Sequence, residues 1–202
     1  IFMDKALELK KIKAAMEQDN NLPLVKKPED IIPGDGNPDA KIMFIGEAGG
    51  YYESLQRKPF VGSAGQLLNS LLKEIGIKRE DVYISNMVKT RPPDNRDPYP
   101  AELEAFGKYL DQEIEIINPK VIVTLGRFSM GKFIPNAYIS SIHGKPHNLK
   151  WNGKEIVVVP MYHPAAALRR GDVMQQIKED FQKIPEILEE ATKPEVKQME
   201  LV

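Results

Sequence analysis

The chain has 202 residues, 42% hydrophobic and 28% charged, which suits one globular domain with a sizeable core. It contains no cysteine, so disulfides, thiolate nucleophiles, cysteine zinc sites and thiolate-held iron–sulfur clusters are excluded. The net charge of -1 by itself gives no sign of a nucleic-acid partner.

Residues 3–18 repeat apolar side chains at helical spacing (Ala6, Leu7, Leu9, Ile12, Ala15, Met16) and end in Asp19-Asn20-Asn21, which predicts an amphipathic helix. A connector rich in Pro, Gly and Asp runs to Pro38. Four short apolar runs follow: Ile42–Ile45, Val82–Ile84, Val121–Leu125 and Ile156–Val159. Helical patterns lie between them at about 63–76, 101–117 and 126–134, and a last helix is expected over about 172–191. β-branched runs separated by helices indicate buried parallel strands in βαβ units. The expected fold is α/β, a three-layer α/β/α sandwich around a mainly parallel four-stranded sheet. Residues 1–202 read as a single domain, with an N-terminal helix and connector over 1–22 and an acidic tail over 192–202.

The net charge conceals a segregation. Residues 1–40 carry 6 Lys/Arg against 8 Asp/Glu, residues 41–171 carry 18 against 13, and residues 172–202 carry 4 against 8. The middle is basic, and local positive patches bind phosphates whatever the total. Solvated loop charges are the blander reading of the same counts. Nothing approaches the roughly 20 apolar residues of a membrane span, and no charged-then-apolar signal stretch opens the chain. A cytoplasmic location is expected.

Ligands of open parallel sheets bind beyond the carboxyl ends of the strands. Those ends carry Gly46-Glu47-Ala48-Gly49-Gly50, then Asn86-Met87-Val88-Lys89, Gly126-Arg127 and Tyr162-His163-Pro164. A carboxylate, a carboxamide and an imidazole therefore meet on one rim. The Gly-rich turn lacks the Lys-Ser/Thr of a P-loop and the spacing of a dinucleotide motif. Pro59-Phe60-Val61-Gly62-Ser63-Ala64-Gly65 sets an aromatic before a small-residue helix start, suited to stacking a base and holding a phosphate, or to ordinary core packing. The Asn86 carboxamide offers an acceptor and a donor in one plane, which matches the N3–H and O4 of uracil; satisfying local backbone is the alternative. His163 suits either a helix cap or a donor to charge on a departing group, and Glu47 either a helix-terminus partner or an active carboxylate. His143 and His147 flank a turn without further ligands, so no metal site is expected.

In combination, Gly46-Glu47-Ala48-x-Gly50, Pro59-Phe60-Val61-Gly62-x-Ala64-Gly65, Asn86-x-Val88-Lys89-x-Arg91-Pro92-Pro93-x-Asn95-Arg96 and His163-Pro164-Ala165-Ala166-x-Leu168-Arg169 closely resemble the family 4 uracil-DNA glycosylases. The likeness runs from about Pro23 to the last helix. It implies an α/β/α fold and hydrolysis of the N-glycosidic bond of deoxyuridine in DNA, leaving an abasic site for base excision repair. It implies Glu47 and His163 as catalytic residues, with Gly46, Ala48, Phe60 and Asn86 holding the base. Gly62, Ser63, Lys89, Arg91, Leu168 and Arg169 are the implied DNA contacts, the last two on a loop inserted into the minor groove. Crowding of the thymine methyl by Glu47 or Tyr51 is the expected source of base choice. The implied partner is DNA containing uracil, single- or double-stranded, and the implied state a monomer. Two other readings stay open: a glycosylase for hypoxanthine or xanthine, and a non-catalytic DNA-binding member of the fold.

The chain departs from the family in three places. The family carries four cysteines on a 4Fe–4S cluster, whereas Asp19, Leu22, Thr90 and Phe106 fall near those positions here, so no cofactor is expected. Gly49 replaces a Pro and is followed by Tyr51-Tyr52, and His143 replaces an Arg. A related group traps uracil DNA through a histidine in an insertion; here Lys89 runs directly into Thr90-Arg91-Pro92-Pro93, so no covalent trap is expected.

Overall fold

Ile42, Phe44 and Ile84 face one helical layer while Met43, Ile45 and Tyr83 face another, because successive strand residues point to opposite sides. With both faces covered, the central strands need apolar residues at nearly every position, which is why they read as continuous runs. The computed structural model describes residues 3–193. Its sheet has six strands in the order β1-β3-β2-β4-β6-β5. They are β1 (Asp35–Gly36), β2 (Ile42–Ala48), β3 (Tyr83–Val88), β4 (Val121–Leu125), β5 (His147–Trp151) and β6 (Lys154–Met161). The four expected strands form the parallel centre, with Gly46 opposite Asn86 in the β2–β3 register. The count of four is corrected to six, because β1 and β5 add antiparallel edges.

One layer consists of α3 (Ser63–Glu74), α8 (Gly171–Phe181) and α9 (Ile184–Thr192), which place Leu68, Leu71, Ile177, Phe181 and Ile187 on the sheet. The other is built on α4 (Pro100–Ile117), whose Leu110, Ile114 and Ile117 meet Met43, Ile45 and Ile122. Outside it, α1 (Lys5–Gln18) is started by the Asp4 carboxylate, which accepts from the Leu7 N–H at 3.1 Å. Ile12 and Met16 of α1 pack with Leu22, Ile31, Val88, Phe106 and Tyr109 in a third apolar cluster. The helix expected over 172–191 is two helices: Pro185, in the first turn of α9, has no amide hydrogen with which to continue α8. The short α2 (Tyr51–Gln56), α5 (Arg127–Phe133), α6 (Ile139–Ile142) and α7 (Pro164–Ala167) follow strands or turns around the rim. Most of the acidic tail, 194–202, lies outside the described residues.

Candidate active site

A cleft of about 340 Å³ opens beyond the carboxyl ends of β2 and β6, lined by Glu47, Ala48, Phe60, Asn95, His163 and Arg169 among others. Gly46 and Asn86 are outside that lining but adjoin it at Phe60: a Cβ on Gly46 would stand 2.4 Å from Asn86 Oδ1 and 2.6 Å from the Phe60 ring. Only a glycine lets the carboxamide and the aromatic ring come together across β2. Asn86 itself is 2% exposed, and its Oδ1 is buried without a hydrogen-bond partner. Buried carboxamide oxygens are ordinarily satisfied, so this one is free to accept from a ligand group.

Phe60 has φ 52°, left-handed backbone that a bulky residue adopts at a cost of about 1–3 kcal/mol. Two residues outside the recognised motifs hold it there. Arg79 donates to the Phe60 and Pro59 carbonyls at 3.0 and 2.6 Å. Glu53 accepts from the Val61 and Gly62 N–H groups at 2.9 and 2.7 Å. The Phe60 ring then lies 5.5 Å from the His163 ring at 31°. The Glu53 contacts also correct one expectation, because the Gly62 N–H is already taken and does not hold a phosphate. Ser63, in the first turn of α3, is exposed beside it.

His163 caps α7, its Nδ1 accepting from the Ala165 N–H at 3.1 Å. That bond leaves Nε2 as the protonated nitrogen of a neutral ring. Burial pushes the pKa down to about 4, so the ring stays neutral over the working range. Glu47 lies at the start of α5, where the Arg127 and Phe128 N–H groups meet it. Its pKa is nonetheless raised to about 7, first by burial and then by the nearby Asp97, against the pull of Arg127 and those two N–H groups. Gly126 has φ 97°, and a Cβ on it would fall 2.3 Å from Glu47 Oε1. The turn before α5 therefore admits the carboxylate only as glycine.

The other implied contacts divide. Leu168 is 49% exposed at the end of α7, and Arg169 lines the cleft beside it. Arg91 is outside the cleft lining, with its Nε donating to Asn95 Oδ1 at 2.8 Å. Tyr51 is 52% exposed and outside the lining as well, whereas Glu47, the other residue expected to crowd a thymine methyl, lines the cleft. Lys89 is a correction. It is fully buried against Glu113 and Ser85 on the α4 side of the sheet and presents no charge to DNA. His143 is likewise engaged, its Nδ1 2.6 Å from the carboxylate of buried Asp180.

The residues near the family's cysteine positions do not fit an iron–sulfur cluster. Leu22 and Phe106 are packed in the third apolar cluster, and buried Thr90 accepts the Gly49 N–H through its carbonyl at 3.3 Å. Asp19 accepts from the Tyr109 hydroxyl at 2.7 Å and from Lys108 at 3.0 Å, which hold its pKa down to about 2. None of the four offers a thiolate, and among the described residues no group of three or more His, Asp or Glu is arranged for a metal.

A phenyl ring, a buried carboxamide, a neutral imidazole and a carboxylate of raised pKa gathered on one rim are the groups that base excision by hydrolysis calls for. The chain belongs to the Uracil DNA glycosylase superfamily, whose family model matches residues 33–188. It is 46% identical to a type-4 uracil-DNA glycosylase of Archaeoglobus fulgidus, over 81% of this chain and 85% of that one. It is 48% identical to the type-4 enzyme of Sulfurisphaera tokodaii over 77% and 74%, and 42% identical to that of Thermotoga maritima over 80% and 84%.

Proposed function

We propose that the protein hydrolyses the N-glycosidic bond of deoxyuridine in DNA, releasing uracil and leaving an abasic site for base excision repair. The observation that carries this reading is the unpartnered Asn86 Oδ1 beneath Phe60 and across Gly46. A uracil extruded from the helix would give that oxygen its N3–H and take the Asn86 amide hydrogen at O4. Cytosine presents the opposite pattern. Phe60 would stack on the ring.

As the C1′–N1 bond breaks, its electron pair passes to the base. The His163 Nε2–H would then donate to the negative charge growing on O2, and a neutral donor does this without giving up its proton. Water attacks the cationic sugar carbon, and the Glu47 carboxylate accepts the proton that water loses. The same carboxylate, in its charged form, favours the sugar cation. Leu168 would fill the vacated place in the stack and Arg169 would meet the backbone, while Ser63 and Arg91 would serve phosphates at greater distance. Extrusion costs a few kcal/mol, least for a single strand.

This enzyme would work as one domain without a metal or cluster, a reading supported by the packing of Leu22 and Phe106 at the cysteine positions. A monomer in the cytoplasm completes the proposal; no helix of the described residues is long and apolar enough to cross a membrane. The test is alkaline cleavage of an oligonucleotide carrying one uracil after incubation with enzyme. Wild type should cut it and Glu47→Ala should cut it at least a hundredfold more slowly. Wild type as silent as Glu47→Ala overturns the reading, and preferential release of hypoxanthine or xanthine from matched substrates replaces uracil as its object.

A further inference from the structure

Two tyrosines stand just outside the cleft, in a place where the excision chemistry has no use for them. Tyr51 and Tyr52 open α2 at 52% and 57% exposure, their rings 5.4 Å apart and steeply inclined. Tyr52 lies towards Gly62 at the start of α3, since its ring would be 3.6 Å from a Cβ there. Tyr51 lies on the other side, with the Arg91 guanidinium 5.2 Å from its ring centre. The pair thus lies between the start of α3 on one side and Arg91 on the other, outside the cleft lining. One turn further along α2, Leu55 is 64% exposed and lines a second, wider groove of about 730 Å³. That groove adjoins the first through Pro92 and carries Lys26, Lys27 and Arg91, together with Arg57, whose guanidinium is already paired with Glu17. Glu29, Asp30 and Asp94 also lie in it and balance these charges; the Asp30 carboxylate accepts from the Lys26 and Lys27 backbone N–H groups, and both lysine side chains are exposed.

Exposed aromatic rings stay dry only when something apolar covers them, and the continuity of this groove with the uracil cleft through Pro92 fixes what that is. We propose that Tyr51, Tyr52 and Leu55 form a stacking platform for unpaired bases beside the flipped nucleotide, with the strand's phosphates led past Arg91 to Lys26 and Lys27. Bases have faces free to stack on tyrosine only when they are not enclosed in a duplex. The platform therefore makes single-stranded DNA the favoured substrate. This rests on the excision reading for its placement, because the strand must enter from the uracil cleft.

The experiment measures binding of a labelled oligonucleotide with one central 2′-fluorodeoxyuridine, whose fluorine resists cleavage by destabilising the sugar cation. Its affinity is compared as a single strand and as a duplex, and the ratio is the readout. Tyr51→Ala with Tyr52→Ala should lower the single-strand preference tenfold or more, while Tyr51→Phe with Tyr52→Phe should keep it. Lys26→Ser with Lys27→Ser should flatten the salt dependence of single-strand binding by about 0.7 in log–log slope per lysine. An unchanged ratio in the double alanine variant, or an unchanged slope without the lysines, overturns the platform. Failure of wild type to release uracil from either strand form overturns the excision reading instead, and the binding ratio reads the platform independently of it.

Discussion

His163 and Glu47 are shifted in opposite senses by the same physical cause. Burial penalises whichever form is charged, so it lowers the imidazole to about 4 and raises the carboxyl to about 7. The neutral donor is therefore available throughout the range in which the carboxylate appears. With Glu47 acting as the proton acceptor, single-turnover excision should rise with pH to a plateau above about 7, and Glu47→Gln should be slow with no inflection there. A raised carboxyl pKa means the fold prefers the protonated form, and the stability it contributes is lost as pH rises through about 7. Glu47→Gln should consequently unfold at a higher temperature than wild type at pH 8, with a smaller difference at pH 5. An inflection preserved in Glu47→Gln would assign the titration to another group. His163→Ala should lose about 10²–10³ in rate with little change in this profile, as expected for a lost charge-stabilising donor. The placement of Glu47, Asn86 and His163 was legible because strand ends gather side chains on one rim. Glu53 and Arg79 were not, since their work is to hold backbone N–H and carbonyl groups that no pattern of side chains displays.

Strand alternation decides which residues of one motif serve the cleft. Asn86 and Lys89 stand three apart at the end of β3, and an odd separation sends side chains to opposite faces. Ser85 and Met87 share the α4 face, so Lys89 joins them and pairs with Glu113. Motif resemblance alone made it a DNA contact; period-two counting along the strand would have moved it. Burial lowers the lysine pKa, and the neighbouring Glu113 opposes that shift. Lys89→Met leaves buried Glu113 without its cation, with only hydroxyl donors such as Ser85 beside it, and should cost about 3–5 kcal/mol in urea unfolding. The salt slope of DNA binding should stay at the wild-type value, whereas a phosphate contact would lower it by about 0.9 on a duplex. The edges of the sheet follow the same logic of local signals. Asn152-Gly153, at φ 46° and 78°, turns β5 into β6, and this dipeptide between two strands is a recognisable hairpin signal. The two residues of β1 carry no periodicity at all and are invisible without the sheet beside them.

Across the whole molecule, the loop leaving β3 must be tied to α1 and α4, and in a cysteine-free chain packing has to supply the tie. Phe106 on α4, Leu22 after α1, Ile31 and Val88 enclose one another with almost no exposed surface. Asp19 adds a polar latch to Tyr109 and Lys108 at the edge of this cluster. The latch holds while Asp19 is charged: its pKa is depressed to about 2, so that contribution persists above the usual carboxyl range and is lost only as pH falls towards 2. The apolar contribution has no such dependence. Removing a fully buried phenyl ring costs about 3–5 kcal/mol, most of it from the lost transfer free energy and the cavity left behind. For a chain of this size Phe106→Ala should lower the unfolding midpoint by roughly 6–20 °C. A cluster-dependent fold would behave differently. It would lose stability on growth without iron or on chelation, and Phe106→Ala would matter little beside that loss. Here wild type prepared with and without iron should melt at the same temperature, and the Phe106→Ala difference should be equal in both preparations. A midpoint that rises with iron would show a metal bound by ligands other than thiolates, and would move the source of this loop's stability from packing to coordination.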